Sequence, residues 1–249
     1  MATSYGSITD DFGVSCYLLG KVDMPSSRET VLHFFESVKK AVPTMTDFDK
    51  RDNGEYALEE DREPGNYRWV SLDTRRLALG YANPPAMEDA DEHCEQVLEM
   101  ASAHLDLGGL QTEAIDVMYY FDFLYQGNHD EIVAEALAGD GPLEGLIKIP
   151  GGRVLNYQPT LMLALDESCQ LQARMNIETR TTAYQVRTGT FSELPISVYF
   201  TLRQFWGKQP FKSFIDSYRN QRRLLDELVT DYVIPNVLQP IARTIGAKQ

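Results

Sequence analysis

Apolar residues recur along this chain in two rhythms, and their order predicts the elements. The stretch CYLLGKV, Cys16 to Val22, mixes branched and aromatic residues and predicts a strand. After the break MPSS, residues Val31, Phe34, Phe35, Val38 and Val42 follow at helical spacing until Pro43. Ser26, with Glu29 three residues on, has the form of a capping box at the start of that helix. DKRDNGEYAL then sets Asn53-Gly54 between two short strands, a pair suited to the two positive-φ positions of a type I′ turn. YRWVSL and LALGY predict two more strands joined by polar DTRR, and Asn83-Pro84-Pro85 ends the run. A helix from Ala86 to about Leu105 carries Glu88, Asp89, Asp91 and Glu92 early, where the helix dipole favours negative charge. Its buried stripe is Ala90, Cys94, Val97, Leu98, Ala101 and Leu105.

Leu107-Gly108-Gly109 resets the pattern. A strand is predicted from Glu113 to Tyr125, a helix from His129, and three or four strands across RVLNYQPTLMLAL, LQARMNIETRT and ISVYFTLRQFW. A long terminal helix is expected from near Pro210, burying Phe211, Phe214, Ile215, Tyr218, Leu225, Val229 and Tyr232. Each half then reads strand, helix, about four strands, helix. This order of elements resembles the duplicated half of the TATA-binding-protein-like fold. The resemblance implies an α+β chain with a curved antiparallel sheet and helices on one face. The expected units are 1–107 and 108–249, sharing one continuous sheet.

An antiparallel sheet padded on one side leaves the other free for use. Alternation assigns residues to that side. Asp116, Tyr120 and Asp122 share one side of the long strand; Arg174, Asn176, Glu178 and Arg180 share one side of LQARMNIETR; Tyr199 and Arg203 share one side of SVYFTLRQF. These nine residues are the candidate binding face. Asp116 and Asp122 stand roughly 20 Å apart along the strand, too far for a catalytic dyad, but either can pair across strands with Arg174 or Arg203.

Composition narrows the partners. The 249 residues are 43% hydrophobic and 24% charged, ordinary for a globular chain, and the net charge is −14. Up to Leu107 there are 10 basic against 21 acidic residues, so the excess sits mainly in the first half. A surface this acidic repels phosphate backbones and anionic headgroups, which argues against nucleic acid and membrane as partners. Cys16, Cys94 and Cys169 are odd in number and widely spaced, fitting neither a disulfide framework nor a zinc site. With no basic-then-apolar leader at the start, the expectation is a cytoplasmic protein.

Chemistry is sparse. Gly127-Asn128-His129-Asp130 has the form of a metallophosphoesterase histidine motif, which would present two metal ligands. His33, His93 and His104 all precede it and none follows, so the rest of such a ligand set is missing. The tetrad reads instead as a strand end at Gly127 and a helix cap at Asn128, with Glu131 completing a capping box. No metal or cofactor is expected. Arg222 falls inside the apolar stripe of the terminal helix and calls for a carboxylate, carbonyl or partner. The stretch from Thr181 to Pro195 is long for a hairpin loop, and its Tyr184, Arg187 and Phe191 are residue types enriched at interfaces, making it the candidate for self-association. Two functions compete. One is a binding or scaffold protein using the polar sheet face or this loop. The other is a small-molecule hydrolase or lyase, with Glu178 or Asp122 as base and Arg174 or Arg203 holding an anionic ligand.

Overall fold

A computed structural model describes residues 5–105, 107, 111–206 and 213–248. In chain order the elements are β1 (Asp11–Gly20), α1 (Arg28–Ala41), β2 (Asp47–Lys50), β3 (Tyr56–Glu59), β4 (Tyr67–Leu72), β5 (Arg76–Ala82) and α2 (Met87–His104). There follow β6 (Thr112–Tyr125), α3 (His129–Ala138), α4 (Glu144–Ile147), β7 (Thr160–Ala164), β8 (Leu171–Glu178), α5 (Ala183–Thr188), β9 (Leu194–Phe205), α6 (Phe214–Leu228) and α7 (Gln239–Gly246). All nine strands join one antiparallel sheet in the order β2-β3-β4-β5-β1-β6-β9-β8-β7. The chain is therefore a mixed α+β protein built on one large antiparallel sheet.

The alternation predicted for the strands is realised as two unlike faces. On one, Val14, Cys16 and Leu18 of β1, Ile115, Val117, Tyr119 and Phe121 of β6, and Val198 and Leu202 of β9 are almost wholly buried. Helices pack against this side: α2 lies on β5, and α6 lies on β6 and β9. The stripe of α1 (Val31, Phe34, Phe35, Val38) and that of α2 (Ala90, Cys94, Val97, Leu98, Ala101) fill the same core. Arg222 enters this layer with its charge matched. Its guanidinium reaches Asp91 at 3.0 Å and Asp226 at 2.5 Å, and lies 5.1 Å from the centre of the Tyr119 ring. Tyr119 and Tyr218 donate their hydroxyls to Asp226 and Asp91 in turn. The arginine in the apolar stripe thus ties α2, α6 and β6 together.

Several local expectations need correction. β1 begins at Asp11, earlier than Cys16, because it pairs along its length with both β5 and β6; Gly13 and Ser15 on its polar side hide that alternation in the sequence. The cap of α1 is Ser27, whose Oγ accepts from the Thr30 N–H, one residue beyond Ser26. Among the described residues only Gly54 of the Asn53-Gly54 pair has positive φ, at 86°. Arg51 N–H donates to Glu55 O and Gly54 N–H to Arg51 O, so the hairpin has a three-residue loop, in which only the residue after the first turn must be left-handed. RVLN forms no strand, leaving three strands after α3.

The 181–195 stretch folds one turn of its own. Thr182 and Gln185 cap α5 reciprocally and Gly189 ends it at φ 70°. The beginning of the terminal helix, with Pro210 and Phe211, lies outside the described residues. After α6 the chain widens into a π-helical stretch over Val229–Leu238 that contains Pro235, then continues as α7. Bonding to the fifth residue changes the angle per residue, which turns Tyr232 out to 63% exposure while Leu225 and Val229 stay buried.

Candidate functional site

The second face of the sheet is where the nine candidate residues meet. Direct cross-strand partners place Asp116 opposite Arg203, Tyr120 opposite Tyr199 and Asp122 opposite Ser197, with Asn176 opposite Tyr199 and Glu178 opposite Ser197 on the next strand. Arg180 lies just past β8 and reaches back to donate to Ser197 Oγ at 2.9 Å. Arg174 projects from β8 opposite Thr201.

Most of these charges are already answered. Arg203 holds Asp116 bidentately, Nε to Oδ1 at 2.8 Å and Nη2 to Oδ2 at 2.6 Å. The fork matches the carboxylate plane, and Asp116 is 7% exposed, so this pair is a fixed part of the surface. Tyr199 donates to Glu178 at 3.2 Å, with Arg180 3.8 Å from the same carboxylate. Asp122 differs. Burial pushes its carboxyl above the usual range, against a hydrogen bond from Ser197 and the charge of Arg180. Of the two arginines expected to hold an anion, Arg203 is committed to Asp116, whereas Arg174 is exposed.

The first half of the chain supplies the rest of this face, which the alternation of the second half did not announce. Tyr17 of β1, Tyr67 and Trp69 of β4, and Arg76 and Ala78 of β5 line a shallow concavity of about 430 Å³ with Tyr120, Asp122 and Tyr199. A second hollow, about 370 Å³, is lined by Asp116, Arg174, Asn176 and Arg203. Tyr17, Met118 and Tyr199 border both, so the two form one trough across β4, β5, β1, β6, β9 and β8. Two glycines make its floor. Tyr120 lies over Gly13 and Trp69 over Gly80; an added Cβ would sit 2.3 Å from the Tyr120 ring in one case and 2.8 Å from the Trp69 ring in the other. The sequence signal was present, since Gly13 and Gly80 keep to the polar side of strands that are otherwise apolar.

Ion pairs also stud the first-half rim. Arg51 bridges Glu55 and Glu59, and Arg62 grips Glu59 while lying 5.2 Å from the centre of the Tyr67 ring. The Glu55 carboxyl is lowered even though burial raises it, because hydrogen bonds from Ser71 and Arg51 outweigh the burial.

Gly127-Asn128-His129-Asp130 lies at the start of α3 and holds three chain segments together. Asn128 Oδ1 caps the helix by accepting from Glu131 N–H at 3.4 Å, and its Nδ2 donates to Val154 O. His129 Nδ1 accepts from Arg180 N–H at 3.3 Å, which leaves Nε2 as donor to Tyr125 O at 3.0 Å. Asp130, fully buried, accepts from Tyr157 N–H and Thr179 Oγ1. Both imidazole nitrogens of His129 are thereby engaged in structure. Glu131 does not complete a capping box, because its carboxylate is drawn to Lys248, just past the end of α7, at 3.2 Å.

On α5, Tyr184 is 64% exposed with Arg187 lying 5.3 Å from its ring centre, while Phe191 is partly buried and its carbonyl accepts from Gln126. These three do not adjoin the trough's lining.

Fold and site together define an α+β protein with one nine-stranded antiparallel sheet, one face packed and the other a trough of tyrosines and paired charges. No protein-family model matches the sequence, and no curated protein matches it. No described helix is long and apolar enough to cross a membrane.

Proposed function

We propose that this chain is a non-catalytic binding protein, one that holds a protein partner along the open face of its sheet. The observation that carries this reading is the state of the charges there. Asp116 is locked to Arg203, Glu178 to Tyr199, and Glu59 to Arg51 and Arg62. An enzyme keeps an acid or base free to act within a concave pocket. Asp122, Arg174 and Glu178 do not line one hollow: Asp122 borders one, Arg174 the other, and Glu178 neither. What such a surface offers is aromatic area bordered by satisfied polar groups, the composition of a protein-binding patch.

The same reading takes the two halves as copies of one unit with TATA-binding-protein-like topology, divided at 107/108. In support, β1 and β6 pair at the centre, β5 flanks β1 as β9 flanks β6, and β4 and β8 come next on either side. The net charge of −14 argues against nucleic acid in the trough and for a polypeptide partner, and the three free cysteines fit a reducing compartment, the cytoplasm.

A second reading, a hydrolase or lyase acting on a small molecule, draws on Asp122, whose carboxyl is held above the usual range by burial beside Tyr120 and Tyr199. Photo-crosslinking in cells separates the two. A crosslinker at Tyr120 or Tyr199 is expected to capture one discrete polypeptide that a crosslinker at Tyr232, exposed elsewhere, does not capture. Identical capture patterns from all three positions would overturn the binding reading. Asp122-dependent turnover of a small molecule would favour the second.

A further inference from the structure

The two edges of the sheet are built differently. β2 is the four-residue strand DFDK, whose Asp47, Asp49 and Lys50 place charge along the edge. Charge on an edge strand discourages further strand pairing. β7, at the other end, reads Thr-Leu-Met-Leu-Ala, has no charge and is exposed at all five positions. On the packed side of the sheet α6 lies on β6 and β9, and beyond it Leu161 and Leu163 remain 51% and 47% exposed. The chain carries a net charge of −14, and this is a conspicuous gap in it.

The backbone of β7 is also directed outward in a regular way. Leu165 N–H bonds to Leu171 O and Ile177 N–H bonds to Pro159 O. In an antiparallel ladder this commits the odd-numbered residues to β8 and turns the N–H and C=O of Thr160, Met162 and Ala164 away from the sheet. Pro159 lacks an N–H, but its backbone faces β8, so it takes no donor from the outer edge.

We infer that β7 is a self-association edge: two copies of the chain pair β7 to β7 antiparallel about a two-fold axis at Met162, joining their sheets into one. The segment is self-complementary in that register. Thr160 meets Ala164 of the second copy, Leu161 meets Leu163, and every outward N–H and C=O finds a partner. Shifting the register leaves some of these groups unpaired. Charge agrees as well, because Asp166 and Glu167, just past the strand, fall opposite Gln158 and Tyr157 of the second copy and no like charges face each other. The four leucines contributed by both copies close the apolar gap on the packed side. Met162 also lines the second hollow, so the contact closes on the edge of the trough; its four leucines lie on the packed side, and it differs from the Tyr184 loop expected from the sequence. It is the isologous geometry of a two-fold dimer.

Sedimentation equilibrium of the full chain over a concentration series is the test, with a dimer as the expected species. L161K/L163K sets lysine against lysine on the packed side, away from the trough, and is expected to give monomer while trough crosslinking is unchanged. Should that variant fail to fold, Ala164→Pro removes one outward donor and reads the same loss. Register is read in a Cys169→Ser background under mild oxidation. Met162→Cys, opposite itself at about 5.5 Å between α-carbons, links two chains and Thr160→Cys does not. A wild-type monomer at every concentration, a dimer that survives both β7 variants, or equal linking at 160 and 162 would each overturn the inference.

Discussion

The ring of Trp69 lies over Gly80, its partner across β4 and β5, so closely that a Cβ on Gly80 would stand 2.8 Å from the indole and 2.6 Å from the Val14 carbonyl oxygen. Only a hydrogen fits between that indole and the backbone. The trough floor therefore depends on a missing side chain.

Gly80→Ala is expected to lower stability by about 1–3 kcal/mol, the range for overpacking. It should also shift the fluorescence of Trp69, one of two tryptophans in the chain. Gly13→Ala should cost less, since the three atoms nearest its added Cβ all belong to the far end of the Tyr120 side chain, which can swing aside. Urea unfolding of both variants checks the order, and equal costs would contradict it.

Arg222 is 6% exposed and bridges Asp91 and Asp226 beneath Tyr119. Arg222→Ala leaves both carboxylates without their cation. The expected loss is about 3 kcal/mol, the low end for breaking a buried pair, because Asp91 and Asp226 both reach solvent. The double variant Arg222→Ala with Asp226→Asn should lose less than the sum of the single losses, which a double-mutant cycle measures.

His93 is buried beside Tyr81, and burial, with the charge of Arg68, depresses its pKa to about 4. An unfolded histidine titrates near 6.5, so between those values the unfolded chain binds the extra proton. Stability should therefore fall as pH drops from about 6.5 toward 4, by on the order of 3 kcal/mol from this group. Raised carboxyls such as Asp91 act in the opposite sense, favouring the folded state as they protonate. The check is the slope of the urea midpoint against pH, which should flatten over this range in His93→Gln.

Asn128→Ala removes the cap of α3 and the link to Val154. A loss of about 1 kcal/mol is expected for the cap. Asp130→Ala strips the acceptor from Tyr157 N–H and Thr179 and should cost about 1–3 kcal/mol. Loss at Asp130 exceeding that at Asn128 in thermal unfolding would support the tetrad as a three-segment clasp.

Legibility in the sequence followed the range of the interaction. The six residues read as the stripe of α2 are all buried, because helical spacing is a local property, but Met87 and His93 are buried with them and were not announced by apolar spacing. The positions of Asp116, Arg174 and Tyr199 on one face were readable for the same reason. The hairpin at Gly54 was read with the wrong turn, since Asn-Gly satisfies two loop geometries and the closing bond from Arg51 to Glu55 chose between them. Tyr232 was misplaced because nothing in the spacing announces a change to π-helical winding at Val229.

By itself the sequence determined which residues share a side, since side chains on a strand alternate with period two and those on a helix recur every 3.6 residues. It also determined the acidity and the capping of α3. The tertiary structure decided strand order, and with it that Trp69 and Tyr17 of the first half border the same trough as Asp122 and Tyr199 of the second. It decided which arginine is bound to which acid, and that β2 and β7 are the free edges. Pairing between strands far apart in the chain is fixed by how the whole sheet buries its apolar face, and no short window of residues contains that choice.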